Sequence, residues 1–273
     1  MGYRSVEKMI KGISIMARLL NFVNFGEGKA SEYDVARMIV KHYHEIPQLT
    51  IYELADLCFV SASTITRFVR KLGYASYKDF KDEIASTLAI DVDYDKKVVN
   101  AKETDLQSIF QTYTQNVIEN IQFTYENIDY RQMERIAEML HDASSIAFFG
   151  LEYANYAGLH FQNKMSSFNR FVQIGTSDEK QLELAQSLSQ GSLAIVVSLE
   201  GSFFYHHEDI MNTLVKNRCK IVSITMLRVG KVLQFSDEVI HINKMNNSTE
   251  GRITIMYFLE LLIMNYYIRY GSK

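Results

Sequence analysis

The sequence predicts an α/β protein in two parts: an all-helical domain over residues 1–88, a linker at 89–104, and an α/β domain with a five-stranded parallel sheet over 105–273. Three observations carry this. Up to Leu88, apolar residues recur at helical spacing between short loops. After Ser145, short and almost uninterrupted apolar runs alternate with helical patterns. The stretch between, Ala89–Thr104, is charged and has no clear period. A chain of 273 residues also suits two ordinary domains, each with its own core.

In the first part, Gly26-Glu27-Gly28 breaks an opening helix, and Ser31 with Asp34 starts another that runs toward His44. Pro47, the only proline, marks the next loop. Thr50 and Glu53 have capping-box spacing: the hydroxyl takes a free backbone N–H and the carboxylate reaches back to the cap. Ser76 and Asp79 open a further helix in a similar way.

A long amphipathic helix, Leu106–Ile128, begins the second part, and Asp129 with Gln132 caps the next. The expected strands are Ile146–Gly150, Phe171–Ile174, Leu193–Leu199, Ile221–Met226 and Val239–Ile242. Helical patterns lie near Tyr153–Ser167, Glu179–Leu188, His207–Asn217 and 230–235, and Glu250–Tyr270 closes the chain. Strands this continuously apolar belong to a parallel sheet covered on both faces.

The net charge of −3 excludes a polycationic protein, but the charge is unevenly spread. Residues 1–90 carry 12 Lys and Arg against 10 Asp and Glu; residues 91–273 carry 17 against 22. Within 61–81 there are five basic residues and one acidic, a local basic face that fits either DNA contact or a solvated helix.

Residues 51–72 hold the sharpest pattern. Ala55 stands ten residues before Ile65, Val60 lies between them, and Phe68 follows three later. A small residue where two helices cross, an apolar residue in the turn and two on the inner face of the second helix make the packing of a helix-turn-helix. The outer face then carries Ser61, Ser63, Thr64, Thr66, Arg67, Arg70 and Lys71 toward a DNA major groove. Hydroxyls and cationic groups there suit phosphate positioning and base-edge contact. A helical hairpin inside an unrelated core fits the same spacing, and Phe59 stands in the turn where glycine is common.

Val60-Ser61-Ala62-Ser63-Thr64-Ile65-Thr66-Arg67-Phe68, followed by Lys71-Leu72-Gly73-Tyr74 and by Tyr77, Phe80 and Lys81, resembles the DNA-binding domain of the RpiR/MurR family of bacterial transcriptional regulators. Leu49–Asp56 also fits. The resemblance implies a C-terminal sugar-isomerase-like (SIS) domain, consistent with the α/β rhythm, and so covers most of the chain.

In open α/β sheets, ligands bind beyond the carboxyl ends of strands. Two loops qualify, Gly150–Ala154 and Ser198–Phe203. SIS domains that bind phosphosugars resemble Gly-x-Gly-x-Ser at the first and Ser-x-Ser-Gly-x-Thr at the second. This chain keeps Gly150, Ser198 and Gly201, but has Glu152 for the second glycine, Ala154 for the serine, Glu200 for the middle serine and Phe203 for the threonine. Ser202 adds a hydroxyl one position early. The candidate ligand residues are therefore Gly150, Glu152, Ser198, Glu200, Gly201 and Ser202. Two carboxylates oppose a phosphate, leaving three readings open: a phosphosugar, a different metabolite, or a pocket kept only for dimerisation. Arg228 or Lys164 would offset the acidic charge, although sequence places neither.

Adjacent His206 and His207, before Glu208 and Asp209, point apart on a helix and suggest a dipole-matched helix start rather than a metal site. Glu250 is read as a helix-start carboxylate rather than an isomerase base. Cys58 and Cys219, far apart, read as buried thiols. No signal peptide or membrane span is expected, which implies a cytoplasmic protein. The reading is a transcriptional regulator without catalytic residues, metal or cofactor, binding a double-stranded DNA operator and a small-molecule effector as a homodimer or tetramer. Its rival is a sugar-phosphate isomerase with an appended helical domain, which should keep the hydroxyl-rich phosphate loops.

Overall fold

A computed structural model describes residues 14–25, 30–99, 105–230, 234–246 and 250–271. The chain divides into two compact units, Met1–Thr104 and Asp105–Lys273.

The first unit is helical: α1 (Ile15–Phe25), α2 (Ala30–Lys41), a 3-10 turn at Ile46–Gln48, α3 (Ile51–Leu57), α4 (Ala62–Lys71) and α5 (Tyr77–Val99). Its core joins Leu19, Val35, Ile39, Leu54, Ile65, Phe68 and Phe80, with the Phe22 and Phe68 rings edge to face at 5.3 Å. The expected break at Gly26-Glu27-Gly28 lies outside the described residues. Since α2 already includes Ala30, Ser31 is inside the helix rather than its cap. Within the expected linker at 89–104 the backbone stays helical to Val99, and residues 100–104 lie outside those described. No proline or glycine interrupts 77–99, and a helix once nucleated propagates without an apolar period.

The second unit is α6 (Leu106–Glu126), α7 (Tyr130–Asp142), β1 (Ile146–Gly150), α8 (Tyr153–Ser166), β2 (Val172–Ile174), α9 (Asp178–Ser187), β3 (Leu193–Val197), α10 (Ser202–His206), α11 (Glu208–Lys216), β4 (Lys220–Thr225), β5 (Glu238–His241) and α12 (Glu250–Tyr270). The five strands run parallel in the order β2-β1-β3-β4-β5. Helices α7, α8 and α12 cover one face over Phe148, Ile195 and Val222, while α9, α10 and α11 cover the other over Phe149, Val196 and Ile221. Burial on both sides explains the continuous apolar strands.

Asp129 caps α7 as expected, but through Arg131 N–H (2.9 Å). Gln132 does not complete a box and instead donates to Glu238 Oε2 and the Val239 carbonyl of β5. The helical pattern near 230–235 includes residues 231–233, which lie outside those described. Among the described residues no helix is long and apolar enough to cross a membrane.

Candidate functional site

Helix α3 opens on the expected capping box: Glu53 N–H donates to Thr50 Oγ1 (3.2 Å), and Thr50 N–H to Glu53 Oε2 (2.7 Å). The backbone bond to Thr50 holds the Glu53 carboxyl below the usual carboxylate range. At its other end Phe59 takes a left-handed backbone (φ 55°). Phe59 N–H bonds to the Asp56 carbonyl (3.1 Å) and Val60 N–H to the Ala55 carbonyl (3.0 Å), the paired bonds of a Schellman end. Helix α4 ends identically at Gly73 (φ 93°), through Gly73 N–H to Arg70 and Tyr74 N–H to Val69. The tight turn therefore forms without its glycine, and the Phe59 ring is left 93% exposed.

Beneath the turn Ala55, Ile65 and Phe68 are buried as the spacing required, joined by Val69 and Leu72, which sequence did not single out. Burial pushes the Cys58 thiol up to about 11, so it is un-ionised at neutral pH.

The seven candidate DNA-facing residues separate into four groups. Ser63, Arg67 and Arg70 are exposed on the outer side. Ser61, also exposed, is the N-cap of α4: its Oγ accepts from Thr64 N–H (3.2 Å) and lies 2.7 Å from Ser63 Oγ and 3.0 Å from Thr64 Oγ1. Thr64 and Thr66 are half-buried, and Thr66 Oγ1 donates to the Ala62 carbonyl (3.0 Å). Lys71 turns back onto α2, donating to the nearly buried Glu32 carboxylate at 2.8 Å and resting over the Phe22 ring. Nothing in local spacing foretold a partner 39 residues away.

In the second unit the chain reverses its progress across the sheet between β1 and β3, the position where a crevice opens in such folds. Gly150 pairs in register with Val197, so the two candidate loops leave the sheet side by side. A Cβ on Gly150 would stand 2.7 Å from Ala154 Cβ and 3.2 Å from the Val197 carbonyl oxygen, which explains why this glycine is kept. Its N–H donates to Oε1 of the fully buried Gln181, and its carbonyl accepts from Gln181 Nε2, at 3.2 and 3.1 Å. Glu152 is exposed, with φ 43° and ψ −106°, a conformation normally reserved for glycine.

At the second loop Ser198 is buried and its Oγ accepts from Phe203 N–H (3.1 Å). Gly201 (φ 83°) begins α10, Ser202 is exposed, and Phe203 is buried against Phe149 and His207. Glu200 is exposed and accepts from Asn246 Nδ2 (3.0 Å). Two backbone amide donors of these loops, those of Gly150 and Phe203, are thus satisfied within the protein.

Buried polar residues gather where α12 begins, and of these sequence reasoning singled out only Glu250. Glu250 and Thr254 are fully buried, and a Cβ on Gly251 would collide with Asn243 and Asn246. Among the described residues, both amide atoms of buried Asn243 and the Thr254 hydroxyl have no hydrogen-bond partner. Each such group costs about 1–3 kcal/mol unless something bonds to it. Asn243 has φ 66°, the one local hint, and sequence cannot display a φ.

His206 ends α10, whereas His207 is buried and its Nε2 lies 3.5 Å from Asp178 Oδ1. Among the described residues no cluster of His, Cys, Asp or Glu is arranged to hold a metal ion.

An exposed, partly basic second helix in a helix-turn-helix, followed by a doubly covered parallel sheet whose strand order reverses between β1 and β3, defines the class of two-domain helix-turn-helix regulators. Residues 26–91 match the model of the helix-turn-helix domain of the rpiR family, and residues 139–265 match the SIS domain. The HTH-type transcriptional regulator HexR of Pseudomonas aeruginosa is 27% identical over 171 residues, 63% of this chain and 60% of that protein's length. An HTH-type transcriptional regulator from the aarA 3′ region of Providencia stuartii is 23% identical over 237 residues, 83% of this chain and 79% of its own. Among solved structures, the Vibrio vulnificus NanR protein complexed with ManNAc-6P covers 94% of this chain and 93% of its own, at TM-score 0.54 and 20% identity. The sugar isomerase domain of the RpiR transcription factor from Sphaerobacter thermophilus covers 59% of this chain and 90% of its own, at TM-score 0.51 and 17% identity. The chain belongs to the rpiR family of helix-turn-helix transcriptional regulators and carries an SIS domain.

Proposed function

We propose that this protein binds an operator in double-stranded DNA through α4 and that its SIS unit senses a small, sugar-related metabolite. One observation carries the DNA reading: α4 buries Ile65, Phe68 and Val69 while leaving Ser63, Arg67 and Arg70 exposed. Hydroxyl and guanidinium donors on one exposed helical face match phosphate oxygens and the acceptor-rich edge of guanine. The relatives named as transcriptional regulators support the same reading.

The sugar-related effector is supported by the ManNAc-6P complex of the Vibrio neighbour and by the two loops that leave the sheet side by side where the strand order reverses. The loops there favour a ligand without a phosphate dianion, since Glu152 and Glu200 replace a glycine and a serine and two backbone donors are engaged internally. The isomerase alternative gains nothing from them, because Ala154, Glu200 and Phe203 stand where that reading places hydroxyls and Ser198 is engaged by Phe203 N–H.

Operator binding by a symmetric dimer is the expected mode. Along α12, exposed Ile253, Met264 and Ile268 continue a stripe with half-buried Tyr257 and Leu261, and Leu106 and Phe110 are exposed on α6. Selection of random duplexes on the full chain should enrich a roughly palindromic site whose half-sites lie about one helical turn, or a multiple of it, apart. Failure to enrich any sequence overturns the DNA reading. Sedimentation of residues 105–273 should show a dimer at micromolar concentration; a monomer would place dimerisation elsewhere.

A further inference from the structure

A cavity of about 120 Å³ lies between the end of α6, the start of α7 and strand β5, and none of the candidate loop residues lines it. Its polar lining is Thr124, Asn127, Asp129, Gln132, Arg228 and His241. Four of these are engaged. Thr124 Oγ1 accepts from Asn243 N–H, Asn127 Nδ2 donates to the Phe123 carbonyl, Gln132 Nε2 donates to β5, and Asp129 caps α7. Two remain. His241 Nδ1 is buried without a hydrogen-bond partner among the described residues, and Arg228 rests its guanidinium over the Phe123 ring, 5.4 Å from its centroid. A guanidinium is donor-only, and a ring nitrogen beside it completes a pair that lacks only an anionic acceptor.

We propose that this cavity is a second ligand site, taking a carboxylate, with Arg228 as its fixed positive charge and His241 Nδ1 as a hydrogen-bond donor.

Charge selects the carboxylate. The lining carries Arg228 and Asp129, one charge of each sign, and the neighbouring Glu238 is locked to Arg135 at 2.5 Å. A monoanion is therefore tolerated, whereas a phosphate dianion would meet Asp129 with little to offset it.

Protonation of His241 belongs to the binding step. Burial, and then the field of Arg228, depress the His241 pKa, while a backbone bond to Leu227 favours the charged ring. Nδ1 has no partner, so that bond falls to Nε2, and Nδ1 carries a proton only in the imidazolium form. A carboxylate beside Nδ1 compensates the burial and the Arg228 charge together. Of the elements lining the cavity, α7 adds the Asp129 carboxylate, α6 only uncharged groups and α12 the Phe258 ring.

The test is NMR of the histidine rings of the full chain, with His241 assigned through His241→Gln, during titration with sodium acetate at constant ionic strength. Acetate should shift the His241 signals saturably with a millimolar midpoint, and chloride should not. Arg228→Gln, at an exposed position, should weaken the effect at least tenfold, whereas Glu200→Ser should leave it unchanged. No saturable shift, an equal shift in Arg228→Gln, or tighter binding of inorganic phosphate than of acetate would each overturn the proposal.

Discussion

On α4, Ser63, Arg67 and Arg70 face solvent above buried Ile65, Phe68 and Val69; at the ends of β1 and β3, the Gly150 N–H and the Ser198 hydroxyl instead face inward, toward Gln181 and Phe203. Helical periodicity separates packing from exposure without further arrangement, so on α4 the core and the candidate interface draw on different residues. A strand-end loop has no such period. Each donor there serves either the protein or a ligand, and in this chain two of them serve the protein while Glu152 and Glu200 point outward.

The largest effect should come from cutting the buried side of α4. Phe68 is 1% exposed and packs edge to face on Phe22, so Phe68→Ala should cost about 3–5 kcal/mol. Urea unfolding of the full chain, with hydrogen exchange read over residues 30–88, measures it; an unchanged helical unit would refute the helix-turn-helix register. On the exposed side, Arg67→Ala and Arg70→Ala should each weaken operator binding by about 1–3 kcal/mol and leave unfolding unaltered. Gel shifts showing full affinity in both variants would move the interface to another surface. Together these two tests ask whether packing and recognition are as separable on α4 as its geometry implies.

The loops should respond differently, because there one residue holds both backbone and chemistry. Glu152→Gly should raise stability by about 1–3 kcal/mol by relieving its backbone, whereas Glu152→Ala should not. Combined with Glu200→Ser, it should bring sugar-phosphate affinity into calorimetric range from little or none in the unmodified chain. Micromolar binding of a sugar phosphate by the unmodified protein would show that the carboxylates do not oppose it. The smallest effect is expected at the turn. Phe59→Gly should stabilise by roughly 1 kcal/mol, since Gly73 closes α4 with the same bonds at no steric cost. A loss on thermal melting would mean that the exposed ring contributes something the isolated turn does not reveal.

Much of the fold was legible because its signals are short-range. The Thr50–Glu53 box, the register of Ala55, Ile65 and Phe68, and the five apolar strands each follow from a few neighbouring residues. Other features were left open by local pattern. Aperiodic charge after Leu88 marked a linker without fixing its backbone, which is helical to Val99, since missing periodicity says nothing against helix. Ser61, Thr64 and Thr66 were grouped with the arginines by position on the wheel, although Ser61 caps the helix and Thr66 bonds back to Ala62.

From sequence alone follow a helical part and then strands alternating with helices, the burial of one side of α4 and the departure of both loops from a phosphate-binding pattern, because periodicity, capping and residue identity are local properties. Only the tertiary structure decided that Lys71 is held by Glu32, that Gln181 occupies the backbone of Gly150, and that Arg228 and His241 share a cavity. Those pairings join side chains tens of residues apart or brought together by the sheet, and their geometry is set by how helices pack on strands, which spacing along the chain does not encode.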